Sequence, residues 1–268
     1  MILITKIAVE KNNHERFRIY VDRGDGKEYM FTVDQDVLIQ FQLKKGKEIS
    51  EEQLNQMLYE DLIKQAYQMS LRFLSYRMRS EKEVRDFLHK KNVPHDVIEK
   101  VLHTLRQNRY VDDQQFAIAY VQTQKKTTWK GPQLIYKELL EKGVEQEIIE
   151  EAITQYLISE QIEKAKKWIE KVRKQSKKRS EKEQKMHVVQ TLKMKGFTQE
   201  VIDEVSKEIQ QDEQSEWEAL QYYGQKAHRR YEKYEGYTYE QKMKQALYRK
   251  GFSMEMIEEF LQKIKEEQ

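Results

Sequence analysis

Between Lys164 and Lys185 eleven basic residues (Lys164, Lys166, Lys167, Lys171, Arg173, Lys174, Lys177, Lys178, Arg179, Lys182 and Lys185) meet three acids, Glu170, Glu181 and Glu183. Closely spaced cations displace counterions from a nucleic-acid backbone, so the run reads as a phosphate-binding ridge on or beside one helix. A solvated helix face has the same composition. Phosphate contacts fix position without reading sequence, so no base-specific contact follows from the run. A second cluster lies further on, where Tyr222, Tyr223, Tyr231, Tyr234, Tyr237 and Tyr239 surround Arg229 and Arg230. Tyr222, Tyr231 and Tyr234 are candidates for stacking single-stranded bases, although aromatics at helical spacing more often pack between helices.

Covalent chemistry has no comparable signal. The six histidines (His14, His89, His95, His103, His187 and His228) show no pair at i and i+4 with a carboxylate in a metal-binding pattern. The absence of Cys removes thiolate ligands, a cysteine nucleophile and disulfides. Gly24-Asp25-Gly26 is a hairpin turn, not a phosphate loop. No catalytic constellation, metal or cofactor is expected, and the chain reads as a non-enzyme.

The elements that must carry these residues repeat. A helix-ending turn occurs four times, as Lys91-Asn92-Val93, Lys142-Gly143-Val144, Lys195-Gly196-Phe197 and Lys250-Gly251-Phe252. Four residues before each Asn or Gly stands Leu88, Leu139, Leu192 or Leu247, and eight before stands Val84, Ile135, Val188 or Met243. That is an apolar stripe running into a C-cap. The lysines of the turns sit at the carbonyl ends of helices, where a cation is favoured for structural reasons. A second apolar stripe follows each turn: Val97, Ile98, Val101, Leu102; Ile148, Ile149, Ala152, Ile153; Val201, Ile202, Val205, Ile209; Met256, Ile257, Phe260, Leu261.

Helix starts recur as well, as Ser80-Glu81-Lys82-Glu83, Gly131-Pro132, Ser180-Glu181-Lys182-Glu183 and Thr238-Tyr239-Glu240-Gln241. Upstream of each is room for another helix, marked by Phe73 and Tyr76, Phe116 and Tyr120, Trp168 and Val172, and Leu220 and Tyr223. Each repeat is thus three helices, and stacked repeats bury what one cannot bury alone. The expectation is a mainly α chain of tandem three-helix repeats in an elongated, curved stack.

The N-terminus differs. Phe17, Ile19 and Val21, then Tyr29, Phe31 and Val33, alternate with more polar neighbours around Arg23-Gly24-Asp25-Gly26-Lys27, which predicts a small antiparallel β meander of three strands over residues 1–33. Val37, Leu38 and Phe41 on a short helix supply its cover, and Ser50-Glu51-Glu52-Gln53 opens the next helix. The expected organisation is a β-rich region over 1–48, a linker helix with repeat 1 over 49–110, and repeats 2, 3 and 4 over 111–158, 159–212 and 213–268.

Composition agrees. Nine Gly and two Pro in 268 residues, with 35% charged side chains, favour helix over most of the length. No apolar run approaches a membrane span or a signal-peptide core, so a cytoplasmic chain with no membrane partner is expected. The net charge of +3 conceals an alternation, with residues 69–110 at +5 and 159–212 at +4 while 111–158 stand at −3.

Three ordered segments carry a resemblance: Tyr76-Arg77-Met78-Arg79-Ser80-Glu81-Lys82-Glu83-Val84, then Tyr110-Val111-Asp112-Asp113 through Phe116 to Tyr120-Val121, then Lys130-Gly131-Pro132 through Leu139 to Lys142-Gly143-Val144. They resemble the RecX regulatory family over roughly residues 62–210, with the fourth repeat and the strands resembling longer Gram-positive-type members. The resemblance implies a monomeric, non-enzymatic modulator of the RecA recombinase that lies in the groove of the RecA filament on single-stranded DNA. It would there inhibit ATP hydrolysis, strand exchange and coprotease activity and favour filament disassembly. Where the family commonly has an arginine after Tyr-Val, this chain has Gln124-Lys125-Lys126, whose lysines are the electrostatic substitutes. The resulting candidates for DNA or filament contact are Arg77, Arg79, Lys125, Lys126, Lys130, Lys167, Lys171, Arg173, Lys174, Lys177, Lys178 and Arg179. Asp112 and Asp113 are expected to open the first helix of the second repeat, capping it first and touching a partner second. A rival reading is a stand-alone helical-repeat protein that binds single-stranded nucleic acid, and a third is a pure protein scaffold.

Overall fold

The computed structural model describes residues 1–175, 179–207 and 213–266, with 173–175 described by their backbone. Four strands come first: β1 (Ile2–Glu10), β2 (Asn13–Asp22), β3 (Glu28–Asp34) and β4 (Glu48–Ile49), in the order β3-β2-β1-β4 with antiparallel pairings. The expected three-stranded meander is present but gains β4, which returns to pair Ile49 with Ile2. Two residues are too short a run for alternation to register in the sequence. Ile2, Ile4, Ile19, Val21 and Val33 line the buried face, covered by Val37, Leu38 and Phe41 in and beside α1 (Gln35–Gln40).

Helix α2 (Glu51–Leu74) starts at the capping box of Ser50 and Gln53 and adds Leu54 and Met57 to the sheet core. Further along α2, Asp61 accepts Arg16 Nη2 at 2.9 Å and the Asp34 N–H at 2.7 Å. This buried pair pins the helix to the sheet.

From α2 onward the helices form four triplets. They are α2, α3 (Glu81–Lys90) and α4 (His95–Gln107); α5 (Asp113–Thr127), α6 (Pro132–Glu141) and α7 (Gln146–Ile153); α8 (Ile158–Gln175), α9 (Glu181–Met194) and α10 (Gln199–Lys207); α11 (Glu213–Tyr231), α12 (Gly236–Lys250) and α13 (Met254–Glu266). The eight residues of the first stripe are at most 2% exposed. Asn92, Gly143, Gly196 and Gly251 have φ of 58°, 78°, 79° and 97°, and the N–H groups of Val93, Phe197 and Phe252 return to Leu88, Leu192 and Leu247. The repeated turn is therefore a Schellman-type stop. Of the second stripe, Ile209 lies outside the described residues.

Two expectations need correction. Tyr76 is 84% exposed, because α2 stops at Leu74 and Ser75 closes the last turn through the carbonyls of Leu71 and Arg72. Helix α12 starts at Gly236 behind Glu235, so Thr238 sits inside the first turn and is not its cap. A turn from Tyr234 N–H to Tyr231 O reverses the chain early enough for the helix to begin three residues sooner.

Packing divides the chain into two compact units, residues 1–116 with 142–144, and residues 117–141 with 145–268. Within the first, the Lys142-Gly143 turn sits on the start of α3. Ser80 Oγ donates to Lys142 O at 2.7 Å, Lys142 Nζ reaches Glu83 at 3.3 Å, and Asp113 accepts the Glu81 N–H at 2.8 Å. Within the second, the same joint recurs: Ser180 Oγ donates to Lys250 O, Lys250 Nζ reaches Glu183 at 2.9 Å, and Glu216 accepts the Glu181 N–H at 2.8 Å. Also in the second, Gly131 N–H donates to Lys195 O at 2.7 Å and Gln133 N–H to Gly196 O at 2.9 Å. A Cβ on Gly131 would stand 2.4 Å from Gly196 O, so backbone meets backbone here. Helix starts and helix-ending turns recur in the sequence because they are the two halves of one joint.

Candidate nucleic-acid interface

The sequence candidates divide into those committed to the chain's own structure and those left at the surface. In the first unit, Arg77 pairs with Glu83 at 2.8 Å and donates to Met78 O. Burial pushes the Glu83 carboxyl up, but the hydrogen bonds from Arg77 and the Ser80 N–H and the charge of Lys142 outweigh it, and its pKa falls to about 2. Arg79 lies 4.0 Å from the Phe73 ring, itself stacked on Phe87 at 4.2 Å. Burial and neighbouring Arg77 lower the Arg79 pKa. Half-buried Arg79 braces the fold and exposed Arg77 is tied to Glu83, while Tyr76 and Met78 are the exposed apolar side chains of that segment. Asp112 caps α5 through the Gln115 N–H, as expected, whereas Asp113 turns to the start of α3 and accepts the Glu81 N–H.

The second unit gathers most of the remaining candidates where α5, α8 and the end of α9 meet. Lys125 is held by Glu160 at 2.9 Å and by Gln155 O at 3.0 Å, with its side chain 13% exposed. It is a strut. Lys164 donates to Lys125 O and lies over Tyr156 at 5.8 Å; burial, then proximity to Lys125, lowers its pKa. Lys130 pairs with Glu138 at 2.6 Å, and Lys167 with Glu163 at 2.5 Å. Lys126 is exposed and makes no ion pair among the described residues. Lys125, Lys126, Lys164 and Lys167, with Glu160 and Glu163, line a cleft of about 360 Å³ that also contains Trp129.

Next to the cleft, Trp129 and Trp168 stand 5.4 Å apart at 49°. Exposed Lys171 lies 5.6 Å from one ring and 5.8 Å from the other, and Lys195 lies 3.9 Å from Trp168. Burial, then the charge of Lys171, lowers the Lys195 pKa. The Trp168 indole N–H is buried and has no hydrogen-bond partner among the described residues. Two half-buried indoles with ammonium groups beside them offer a stacking surface and phosphate-binding charge together. Sequence reasoning took Trp168 as an apolar helix marker, Lys164 as one cation of the phosphate-binding ridge and Lys195 as a helix-end cation, and passed over Trp129. Tryptophans flanked by lysines were the available signal.

Of the other ridge residues, Arg173 and Lys174 lie on α8 by their backbone, and Lys177 and Lys178 lie outside the described residues. Arg179 is half-buried beside His187, whose pKa is lowered by burial and then by Arg179. The three tyrosines have separate surroundings. Tyr222 meets Tyr223 edge-on at 5.3 Å, Tyr231 packs on the core of the fourth triplet, and Tyr234 lies beneath Lys233 and Lys242 at 5.3 and 4.6 Å. Among the described residues no group of His, Asp and Glu is placed to hold a metal, and no helix is long and apolar enough to cross a membrane.

Comparison with known proteins covers almost the whole length. Residues 2–50 match the regulatory protein RecX N-terminal domain, 66–105 the first RecX three-helix domain and 112–153 the second. The third RecX three-helix domain matches twice, at 159–205 and 214–261. The regulatory protein RecX of Geobacillus sp. (strain WCH70) is 54% identical, covering 99% of this chain and 98% of its own. That of Bacillus cereus (strain B4264) is 44% identical over the full length of both. A crystal structure of regulatory protein RecX aligns with a TM-score of 0.66 at 35% identity, covering 78% of this chain and all of its own. RecX from Lactobacillus salivarius aligns with a TM-score of 0.54 at 31% identity, covering 56% of this chain and 97% of its own. With its strands, its four helix triplets and their order all accounted for, the chain belongs to the RecX family of regulatory proteins.

Proposed function

We propose that this chain is a non-enzymatic regulator of the RecA recombinase that binds the RecA filament on single-stranded DNA along its groove. Bound there, it inhibits ATP hydrolysis, strand exchange and coprotease activity and shifts the filament toward disassembly. Full-length RecX membership carries this reading. The Trp129, Trp168, Lys126 and Lys171 cluster supports the DNA-facing part, since indoles stack on bases and uncommitted ammonium groups meet phosphate.

The same cluster favours a second reading, in which the chain binds single-stranded nucleic acid without a recombinase. The two separate in one experiment that follows RecA ATP hydrolysis and DNA binding by this chain alone. Inhibition by wild type and weaker inhibition by Lys126→Glu with Lys171→Glu supports the filament reading. Tight binding to bare DNA without any effect on RecA supports the second.

A further inference from the structure

A groove of about 410 Å³ lies in the fourth triplet between α11 and α13. Trp217, Gln221, Gln225 and Arg229 recur every four residues and form the α11 wall, and Phe260 and Lys263 face them from α13. Gly224 sets the approach of the two helices. A Cβ at that position would stand 2.1 Å from Phe260 Cζ, so the Phe260 ring rests on the α11 backbone, edge-on to Trp217 at 6.3 Å and 72°. Lys263 Nζ lies 4.1 Å from the centre of the indole ring.

Two observations set this groove apart from ordinary helix surface. Among the described residues no carboxylate lines it, and Glu259 meets only its Lys263 at 2.9 Å, whereas Glu160 and Glu163 line the cleft beside Trp129. Gln221, Gln225 and Arg229 make no hydrogen bond or ion pair among the described residues, in a triplet where Lys244, Lys250, Lys263 and Lys265 are each held by a glutamate.

We propose that this groove holds one nucleotide of a DNA single strand, with the base against Trp217 and the phosphate on Arg229 and Lys263. An indole gives a stacking face that every base can use. Carboxamides present paired donors and acceptors that match the edges of bases. A guanidinium forks onto phosphate oxygens, and the Lys263 ammonium reaches them by exchanging the ring and its Glu259 partner for phosphate. An acidic peptide would satisfy the two cations and leave the indole and both carboxamides without a role. The site is separate from the Trp129 and Trp168 cluster and requires no recombinase.

The test uses the full chain with Trp129→Phe and Trp168→Phe, which leaves Trp217 as the one tryptophan of the original three. Titration with a 20-nucleotide oligodeoxythymidylate is expected to quench its fluorescence, and adding Arg229→Ala is expected to raise the half-saturation concentration at least fivefold with unchanged circular dichroism. In the wild-type chain, irradiation with an oligonucleotide carrying 5-iododeoxyuridine is expected to give an adduct at Trp217. Quenching by polyglutamate equal to that by DNA, indifference to Arg229→Ala, or adducts confined to Trp129 and Trp168 would each overturn the proposal.

Discussion

Glu83 joins three partners, Arg77, the Ser80 N–H and Lys142, which together outweigh burial and set its pKa to about 2 against an ordinary 4.5. A folded-state pKa below the unfolded one stabilises at higher pH, and the contribution disappears as pH falls from about 4.5 to about 2. Glu83→Gln is therefore expected to cost about 2 kcal/mol at pH 7, with wild type and variant converging only as pH falls to about 2 in urea melts of the full chain. The basic run of the third repeat behaves differently. Neutralising Lys171, Lys174, Lys177 and Lys178 together is expected to lower the slope of log affinity for single-stranded DNA against log salt by about 0.7 for each phosphate that no longer meets a cation, with helicity unchanged. An unchanged slope would remove the ridge from the interface. At this scale the sequence shows charge but not its commitments. Arg77, Arg79 and Lys125 read as free cations, yet an ion pair, a stacked ring and a two-sided anchor hold them, through partners 6 to 35 positions away. Trp129 and Trp168 are 39 positions apart, so no local pattern announces their contact.

Helices and turns were far more legible, because stripes and stops are local. The four stripe pairs are buried where the spacing put them, and all four stops have left-handed backbone. What the chain order does not reveal is which start meets which stop, and β4 was too short to see. The joint makes a sharp expectation. Gly196→Ala places a methyl 2.3 Å from Leu134 N in a left-handed residue, and a loss of about 3 kcal/mol is expected from strain and displacement together. Gly26→Ala, also at positive φ but in open space, is expected to cost about 1 kcal/mol. Equal losses in denaturant melts would show that the joint between Gly131 and Gly196 adds nothing. At the sheet, Asp61→Ala strands Arg16 in a site where the arginine side chain is 14% exposed, and a cost of about 3 kcal/mol is expected.

For the molecule as a whole, strands and four triplets follow the RecX order, and the two matches to the third domain make triplets three and four versions of one unit. Family motifs in the first two triplets made that membership readable from the sequence, since Ser80 through Glu83, Asp113 and Lys142-Gly143 are joint residues whose types the packing fixes. The activity proposed here belongs to this scale, because a filament presents many copies of one protomer to each bound chain. The most direct measurement is single-stranded-DNA-dependent ATP hydrolysis by RecA of the same organism, with this chain added well below one per RecA protomer. Strong inhibition at that ratio is the expected result. Full hydrolysis at every ratio, with the chain bound tightly to bare DNA, would contradict regulation of the filament.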